Sequence, residues 1–519
     1  MQLLASYLSG SWSQGSGAKS TLVNPATEAG LAEVHNGGHD LAGAFAYARK
    51  AGAAELAQLT FAQRGALLAS LAKAIHGARE ELIALAVANG GNTRSDAKFD
   101  IDGGAATLSY YADLATKLGG ARLLADGEPI QVGRTARMGG QHAWATRRGV
   151  AVHINAFNFP GWGLCEKLAC ALAAGMPVIA KPATATALVT HRLVELFEKL
   201  LPAGALQLLV GPAGALLDHL GPGDVVAFTG GSATARTLRS HPGIVAHGVR
   251  LNIEADSLNA AVLAPDVALA SEAGGLFLAD VVRDMTQKTG QKCTAIRRVL
   301  VPGDQMAEVA EAIRDRLARI TVGDPAHDGV NMGPLATAAQ RDDIRAGIAR
   351  LAEATDAVFG GTGEVTAVGA PPGKGFFVGP VVRATQSPMT CAPLNDHEVF
   401  GPVTTLGAYS GEADVAAAFI ARGAGCLVSS AYSDDREWVS RFVGQAAPWC
   451  GRLYLGSSKM AAQSPGPGTA LPMLLHGGPG RAGGGEELGG ERGLHYYMQR
   501  VALEGDASVL KTLVAGAEK

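Results

Sequence analysis

Cysteine is scarce in this chain: six stand among 519 residues, at positions 165, 170, 293, 391, 426 and 450, with no CxxC pair and no Cys/His zinc spacing. Such usage argues against a structural metal or a disulfide framework and for a reducing compartment. Charge of one sign is lacking too, since 44 Lys and Arg stand against 47 Asp and Glu, a formal net charge of −3. That removes the electrostatic case for nucleic acid or anionic lipid as a partner. No apolar run is long enough to span a bilayer, and the first eight residues, Met1-Gln2-Leu3-Leu4-Ala5-Ser6-Tyr7-Leu8, lack the basic start of a secretion signal. The expected location is the cytoplasm, with no membrane contact. The dinucleotide fingerprint G-x-G-x-x-G is also missing.

What is present suits a packed α/β protein. Hydrophobic residues make up 47% of the chain, charged ones 18%, and 69 are glycine, which excludes a disordered chain. The length exceeds one ordinary core, so two or more domains are expected. Trp12, repeated Gly/Ser and the Asn24-Pro25 turn read as short strands. Asp40 can cap an alanine-rich helix to Leu59, and Thr60 a longer run through Val87 that stops at Asn89-Gly90-Gly91. A strand at 149–154, a helix at 161–174 and a strand at 177–182 make a βαβ unit. The pattern continues with a helix at 190–201, strands at 206–210 and 224–229, a helix at 233–238 and a strand at 249–254. A second α/β set follows: a strand at 260–263, a helix through 269–285, a strand at 298–301 and a helix at 305–319. The glycine-rich stretches 360–375 and 477–493 read as loop, and the segment 494–501 as a strand.

Chemistry points to Lys288-Thr289-Gly290-Gln291-Lys292-Cys293-Thr294, where a lone cysteine after a Gly-Gln turn reads as a presented thiol. Glu254 ends an apolar run upstream, and Asn158 sits in Asn155-Ala156-Phe157-Asn158-Phe159-Pro160. A thiol, a carboxylate and an amide donor make one reaction centre if the fold brings them together. Cys165, Cys170, Cys391, Cys426 and Cys450 read as core fillers.

These stretches, with Lys181-Pro182-Ala183, Phe228-Thr229-Gly230, Gly323-Asp324-Pro325, Met332-Gly333-Pro334-Leu335 and Glu398-Val399-Phe400-Gly401-Pro402-Val403, resemble in order and spacing the NAD(P)-dependent aldehyde dehydrogenases. The resemblance implies a Rossmann-like cofactor domain (1–129 and 149–256), an α/β catalytic domain (257–491) and a small β oligomerisation arm (130–148 and 492–519), the last suggesting a homodimer. It implies Cys293 as nucleophile, Asn158 as oxyanion donor and Glu254 as the base that activates water against the thioester. Lys167 and Glu487 would form a proton path, with Glu491 a rival for the second position. For the cofactor it implies Lys181 at the adenosine ribose, Gly230, Gly231 and Ser232 at the pyrophosphate, and Glu398 with neighbouring Phe400 at the nicotinamide ribose. Where many NAD-preferring relatives carry glutamate, three places after the lysine, this chain has Thr184. Threonine removes the repulsion of a 2′-phosphate, so NADP is the expected cofactor and NAD the weaker one.

One departure follows Glu254, where Ala255-Asp256-Ser257-Leu258 replaces the usual Leu-Gly-Gly-Lys. Together with Cys293-Thr294-Ala295-Ile296-Arg297-Arg298 and His476-Gly477-Gly478-Pro479-Gly480-Arg481, it resembles the branch acting on coenzyme-A-linked semialdehydes in aromatic (benzoate) degradation. Some members there carry a C-terminal hydratase domain, which is not expected here. The implied substrate is a semialdehyde of the 3,4-didehydroadipyl-CoA kind, oxidised to the free acid. A general aliphatic aldehyde dehydrogenase, an acyl transferase to coenzyme A and a catalytically silent scaffold are the competing readings.

Overall fold

The computed structural model describes residues 1–515. Ala151, Val152, Val178, Ile179, Ala180, Val225 and Val226 are each at most 1% exposed, as strands covered on both faces must be. They belong to a seven-stranded sheet ordered Arg250–Glu254, Val225–Thr229, Ala151–Ile154, Val178–Lys181, Leu206–Leu208, Ser6–Leu8, Ser11–Ser13. The first five are parallel; the last two join by antiparallel pairing. Chain order reverses between Ala151–Ile154 and Val225–Thr229. At such a switch point a crevice opens outside the carboxyl ends of the strands. Asn158, Thr229, Gly230 and Glu254 all follow or end strands there.

A second seven-stranded sheet runs Asp356–Phe359, Val381–Thr385, Val403–Tyr409, Arg298–Pro302, Ala260–Leu263, Cys426–Tyr432, Cys450–Gly456, and only its first pairing is antiparallel. A three-stranded antiparallel sheet joins Met498–Asp506, Met138–Thr146 and Leu123–Gln131. No helix among the described residues is long and apolar enough to cross a membrane.

Local chemistry explains most helix ends. Asp40 accepts from Gly43 N at Leu41–Tyr47, which continues through a π-turn into Ala53–Gln58. Thr60 and Gln63 form a reciprocal capping box at Phe61–Gly77. The run expected to continue unbroken restarts as Arg79–Gly90 and ends on Gly91 in the left-handed conformation.

The 25-residue helix Arg94–Leu118 was not anticipated. Its buried stripe includes Asp96 and Asp100, which break the apolar period that marks a helix. Asp100 is buried because its carboxylate caps a second helix, accepting from Trp162 N at 2.7 Å and Gly161 N at 3.2 Å. Gly103 permits the contact between them, since a Cβ there would lie 2.2 Å from the Trp162 ring. That second helix, Trp162–Ala174, buries eleven of its 13 residues. Two other readings differ. The glycine-rich 477–493 stretch holds a short hairpin, Leu475–Gly477 with Glu486–Leu488, and the tail strand is Met498–Asp506, preceded by a turn of helix at Arg492–His495.

Candidate active site

Cys293 follows a strained turn. Lys288 and Thr289 take φ values of 52° and 56°, left-handed backbone that non-glycine residues seldom adopt, and Gly290 continues at 67°. A Cβ on Gly290 would sit 2.2 Å from the Gly401 carbonyl oxygen, so only glycine fits. Buried Arg297 over-determines the turn: its guanidinium donates to the carbonyls of Gly290 (2.8 Å), Gly401 (2.9 Å) and Lys292 (3.0 Å) and to Glu398 (3.2 Å). Asn259 Nδ2 donates to the Cys293 carbonyl at 2.7 Å. Thr289 Oγ1 donates to the Gly333 carbonyl at 2.9 Å. The thiol is thus held by the backbone around it.

The fold brings Asn158, Glu254 and Cys293 together. Asn158 Nδ2 donates to the Gln291 carbonyl at 3.0 Å, leaving its second amide hydrogen free to face the thiol's surroundings. Glu254 is 3% exposed; Thr229 Oγ1 donates to it at 3.4 Å, and His476 Nε2 lies 3.3 Å from it. The same Nε2 is 3.8 Å from Cys293 Sγ. Burial pushes the Glu254 carboxyl up, but His476 and Lys167 outweigh it and hold the group down at about 2. Burial and the adjacent Glu254 charge push the Cys293 thiol well above its ordinary value. For His476, burial alone would lower the imidazole, yet Glu254 holds it above its usual value. The sequence reading assigned no role to His476. The available signal was a lone imidazole at the edge of a glycine-rich stretch.

Behind Glu254 lies a buried charge cluster. Lys167 Nζ is 3.0 Å from both Glu166 Oε1 and Glu487 Oε2, and Asn252 Nδ2 donates to Glu487 at 3.1 Å. Glu491 is instead part-exposed and 3.8 Å from His495, so Glu487 is the residue facing Lys167. Burial pushes the Glu166 carboxyl up to about 7 despite Lys167. Burial would lower the Lys167 amine, but Glu166, Glu487 and Glu254 together hold it above its ordinary value. Glu166 was overlooked, although a Glu-Lys pair inside an otherwise apolar helix marks a buried ionic site.

Two cavities meet at these residues. One is a tunnel walled by Phe99, Phe159 and Trp162, whose ring centroids lie 5.2–6.0 Å apart. The other is the crevice at the switch point, bounded by Gly230, Gly231, Glu398 and Phe400. Asn158, Thr229, Glu254 and Cys293 line both. A reactant entering by each opening would meet its partner at Cys293.

Cofactor expectations fare unevenly in the crevice. Lys181 ends its strand with its amine lowered by burial, and makes no ion pair among the described residues. Glu398 accepts from Ser257 N at 2.9 Å and from Arg297, and burial raises its carboxyl to about 7. Phe400 packs edge-on to Phe157 at 6.0 Å, with Arg297 over its ring. Gly231 precedes the helix Ser232–Arg239, where Asp256 caps: Ser232 N donates to Oδ1 at 2.9 Å and Ser232 Oγ to Oδ2 at 2.6 Å. The helix end proposed for a pyrophosphate therefore already faces a carboxylate.

The expected preference for NADP is corrected. Thr184 opens the short helix Thr184–Thr186 and does not line the crevice. The crevice wall carries four carboxylates, Glu254, Asp256, Asp343 and Glu398, which disfavour further negative charge there. Losing a glutamate removes one repulsion but supplies no cation. Solved structures share this fold, some of them in complex with NAD+. A betaine aldehyde dehydrogenase mutant from Staphylococcus aureus in complex with NAD+ superposes with a TM-score of 0.82 (21% identity, 97% of this chain, 96% of that one). An NAD-dependent aldehyde dehydrogenase from Sinorhizobium meliloti does so at 0.85 (21% identity, 97% and 95%). A profile described as "Aldehyde dehydrogenase family" matches residues 12–502. A 3,4-dehydroadipyl-CoA semialdehyde dehydrogenase from Aromatoleum evansii is 42% identical over 478 residues, covering 92% of this chain and 93% of that one.

Proposed function

The chain belongs to the aldehyde dehydrogenase family, and from that premise we propose that it oxidises an aliphatic, coenzyme-A-linked semialdehyde to the carboxylic acid with NAD. The observation that carries the reading is that Cys293, Asn158 and Glu254 line both the apolar tunnel and the crevice. The similarity to the Aromatoleum evansii enzyme supports the substrate class. So does the tunnel, which shares Phe99, Trp162 and Ala470 with an outer cavity where Lys98 lies, leaving room for a long substrate whose bulky end stays outside. Phe400 and Glu398 at the crevice wall, with the unpaired Lys181 amine at a neighbouring strand end, suit the rings and ribose hydroxyls of a dinucleotide.

A bound nicotinamide dinucleotide supplies the hydride acceptor. Cys293 Sγ adds to the aldehyde carbon, and Asn158 with the Cys293 backbone N–H stabilises the oxygen that becomes negative. Loss of hydride leaves the acyl group on Cys293 as a thioester. Glu254 then takes a proton from a water whose oxygen attacks that carbon. The C–S bond breaks, releasing the acid and the sulfur. Lys167, Glu166 and Glu487 provide a charged route for the proton behind Glu254. The cofactor half (1–129 and 149–256), catalytic half (257–491) and arm (130–148 and 492–519) are part of the same reading. So is a homodimer formed through the open edge of the three-stranded sheet.

The test is reduced-nicotinamide formation with a coenzyme-A-linked aliphatic semialdehyde and no free coenzyme A. Turnover that is faster with NAD than with NADP, and faster than with a plain aldehyde of equal length, is expected. Turnover only after adding coenzyme A would replace hydrolysis with acyl transfer, and faster turnover with NADP would overturn the cofactor assignment.

A further inference from the structure

His476 occupies a position that the mechanism above leaves unused. It sits on the strand Leu475–Gly477, paired opposite Glu487 of Glu486–Leu488, and its imidazole is buried. One nitrogen, Nε2, lies 3.8 Å from Cys293 Sγ and 3.3 Å from Glu254 Oε1, while Nδ1 is buried with no hydrogen-bond partner among the described residues. Ligand-type atoms of the three side chains all fall within 4.8 Å of one another. The ring therefore borders both a thiol and a carboxylate, which also contact one another.

That placement bears on how Cys293 ionises. Releasing the thiol proton to solvent would leave two negative charges side by side in a buried site, which is costly. Moving the proton to a neutral imidazole leaves the net charge of the cluster unchanged and places the new cation beside both anions.

We infer that His476 is a further catalytic residue, the base that takes the Cys293 thiol proton and then remains as an imidazolium beside the thiolate and Glu254. The inference rests on the function proposed above. In acylation the S–H bond breaks, Nε2 gains the proton and the sulfur's electron pair forms the bond to the aldehyde carbon. In deacylation the water proton goes to Glu254, and the departing sulfur finds the imidazolium still in place as its counter-ion. No additional oxidant or reductant enters either step. The charged or titratable groups around His476 include Glu254, Cys293, Glu166 and Arg452, with Glu487 opposite it on the paired strand. Three of these favour or exchange its proton, and Arg452 opposes it.

Alkylation of Cys293 by iodoacetamide, followed by mass spectrometry of its peptide, tests this without aldehyde or cofactor. Failure of the inference and failure of the proposed reaction are thereby distinguishable. Wild-type alkylation is expected to rise as pH passes through the imidazole range, because the ring becomes neutral there and can accept the thiol proton. In His476→Gln and His476→Phe that rise should vanish and the rate at pH 8 should fall by at least about tenfold, the change that one unit of thiol pKa produces in thiolate fraction. His476→Gln keeps a polar group beside Glu254, so a purely structural role would leave its alkylation profile at the wild-type level. Identical profiles in wild type and His476→Gln would overturn the inference. So would a wild-type profile with no inflection in the imidazole range, whether or not either variant folds.

Discussion

Replacing Asn158 with alanine separates positioning from catalysis by size of effect. The amide makes one hydrogen bond, to the Gln291 carbonyl at 3.0 Å, in the turn that carries Cys293. Losing such a bond costs about 0.5–1.5 kcal/mol of stability. A donor aimed at charge that develops only in the transition state is worth about 2.7–4 kcal/mol, or roughly 10²–10³ in rate. Asn158→Ala should therefore slow the pre-steady-state burst of reduced nicotinamide by about two to three orders of magnitude. Urea unfolding should shift by only about 1 kcal/mol, and alkylation of Cys293 should stay near the wild-type rate. The relevant assay is stopped-flow absorbance under single-turnover conditions, with the unfolding midpoint measured on the same preparation. A burst slowed less than about tenfold, below the range for an oxyanion donor, would refute the reasoning. An alkylation rate that falls in step with the burst would refute it too, because the amide would then act only through the turn.

Two further outcomes follow from the charge cluster. Lys167→Met leaves Glu166 and Glu487 facing one another without their cation, and removing one partner of a buried pair costs about 3–5 kcal/mol; chemical denaturation should show a loss of that order. Glu166 gives a pH dependence whose sign is set by its raised carboxyl. Between its ordinary value of 4.5 and about 7 the folded protein keeps a proton that the unfolded chain has lost. Stability must then fall as pH rises through that window. Glu166→Gln should lessen the decline between those limits, read from unfolding midpoints at pH 5 and pH 7.5; an unchanged decline would remove Glu166 as its source.

Much of the fold was legible because its signals are local. The βαβ strands are short apolar runs bounded by glycine or proline, and Asp40, Thr60 and Gly91 announce helix ends through their own chemistry. The helix Arg94–Leu118 escaped because Asp96 and Asp100 face inward, and what makes Asp100 tolerable there, the N–H groups of Gly161 and Trp162, lies about 60 residues away. In the site, the cysteine motif stood out, but the left-handed Lys288 and Thr289 did not. Nothing in those residue types demands that backbone, and it holds only because Arg297 and Gly333 brace it from outside the turn. Thr184 misled for a related reason. Its meaning depends on the charge of the surrounding crevice, and those carboxylates come from three separate segments. His476 and Glu166 likewise acquire significance only from what packs against them.

The most direct test of the central claim is intact-protein and peptide mass spectrometry of Glu254→Gln after mixing with the coenzyme-A-linked semialdehyde and NAD and quenching in acid. The account predicts one equivalent of reduced nicotinamide per active site and an acyl adduct on Cys293 that persists, because the thioester forms and its hydrolysis has lost a base worth roughly 10²–10⁴ in rate. Rapid steady turnover with no adduct on Cys293 would contradict it.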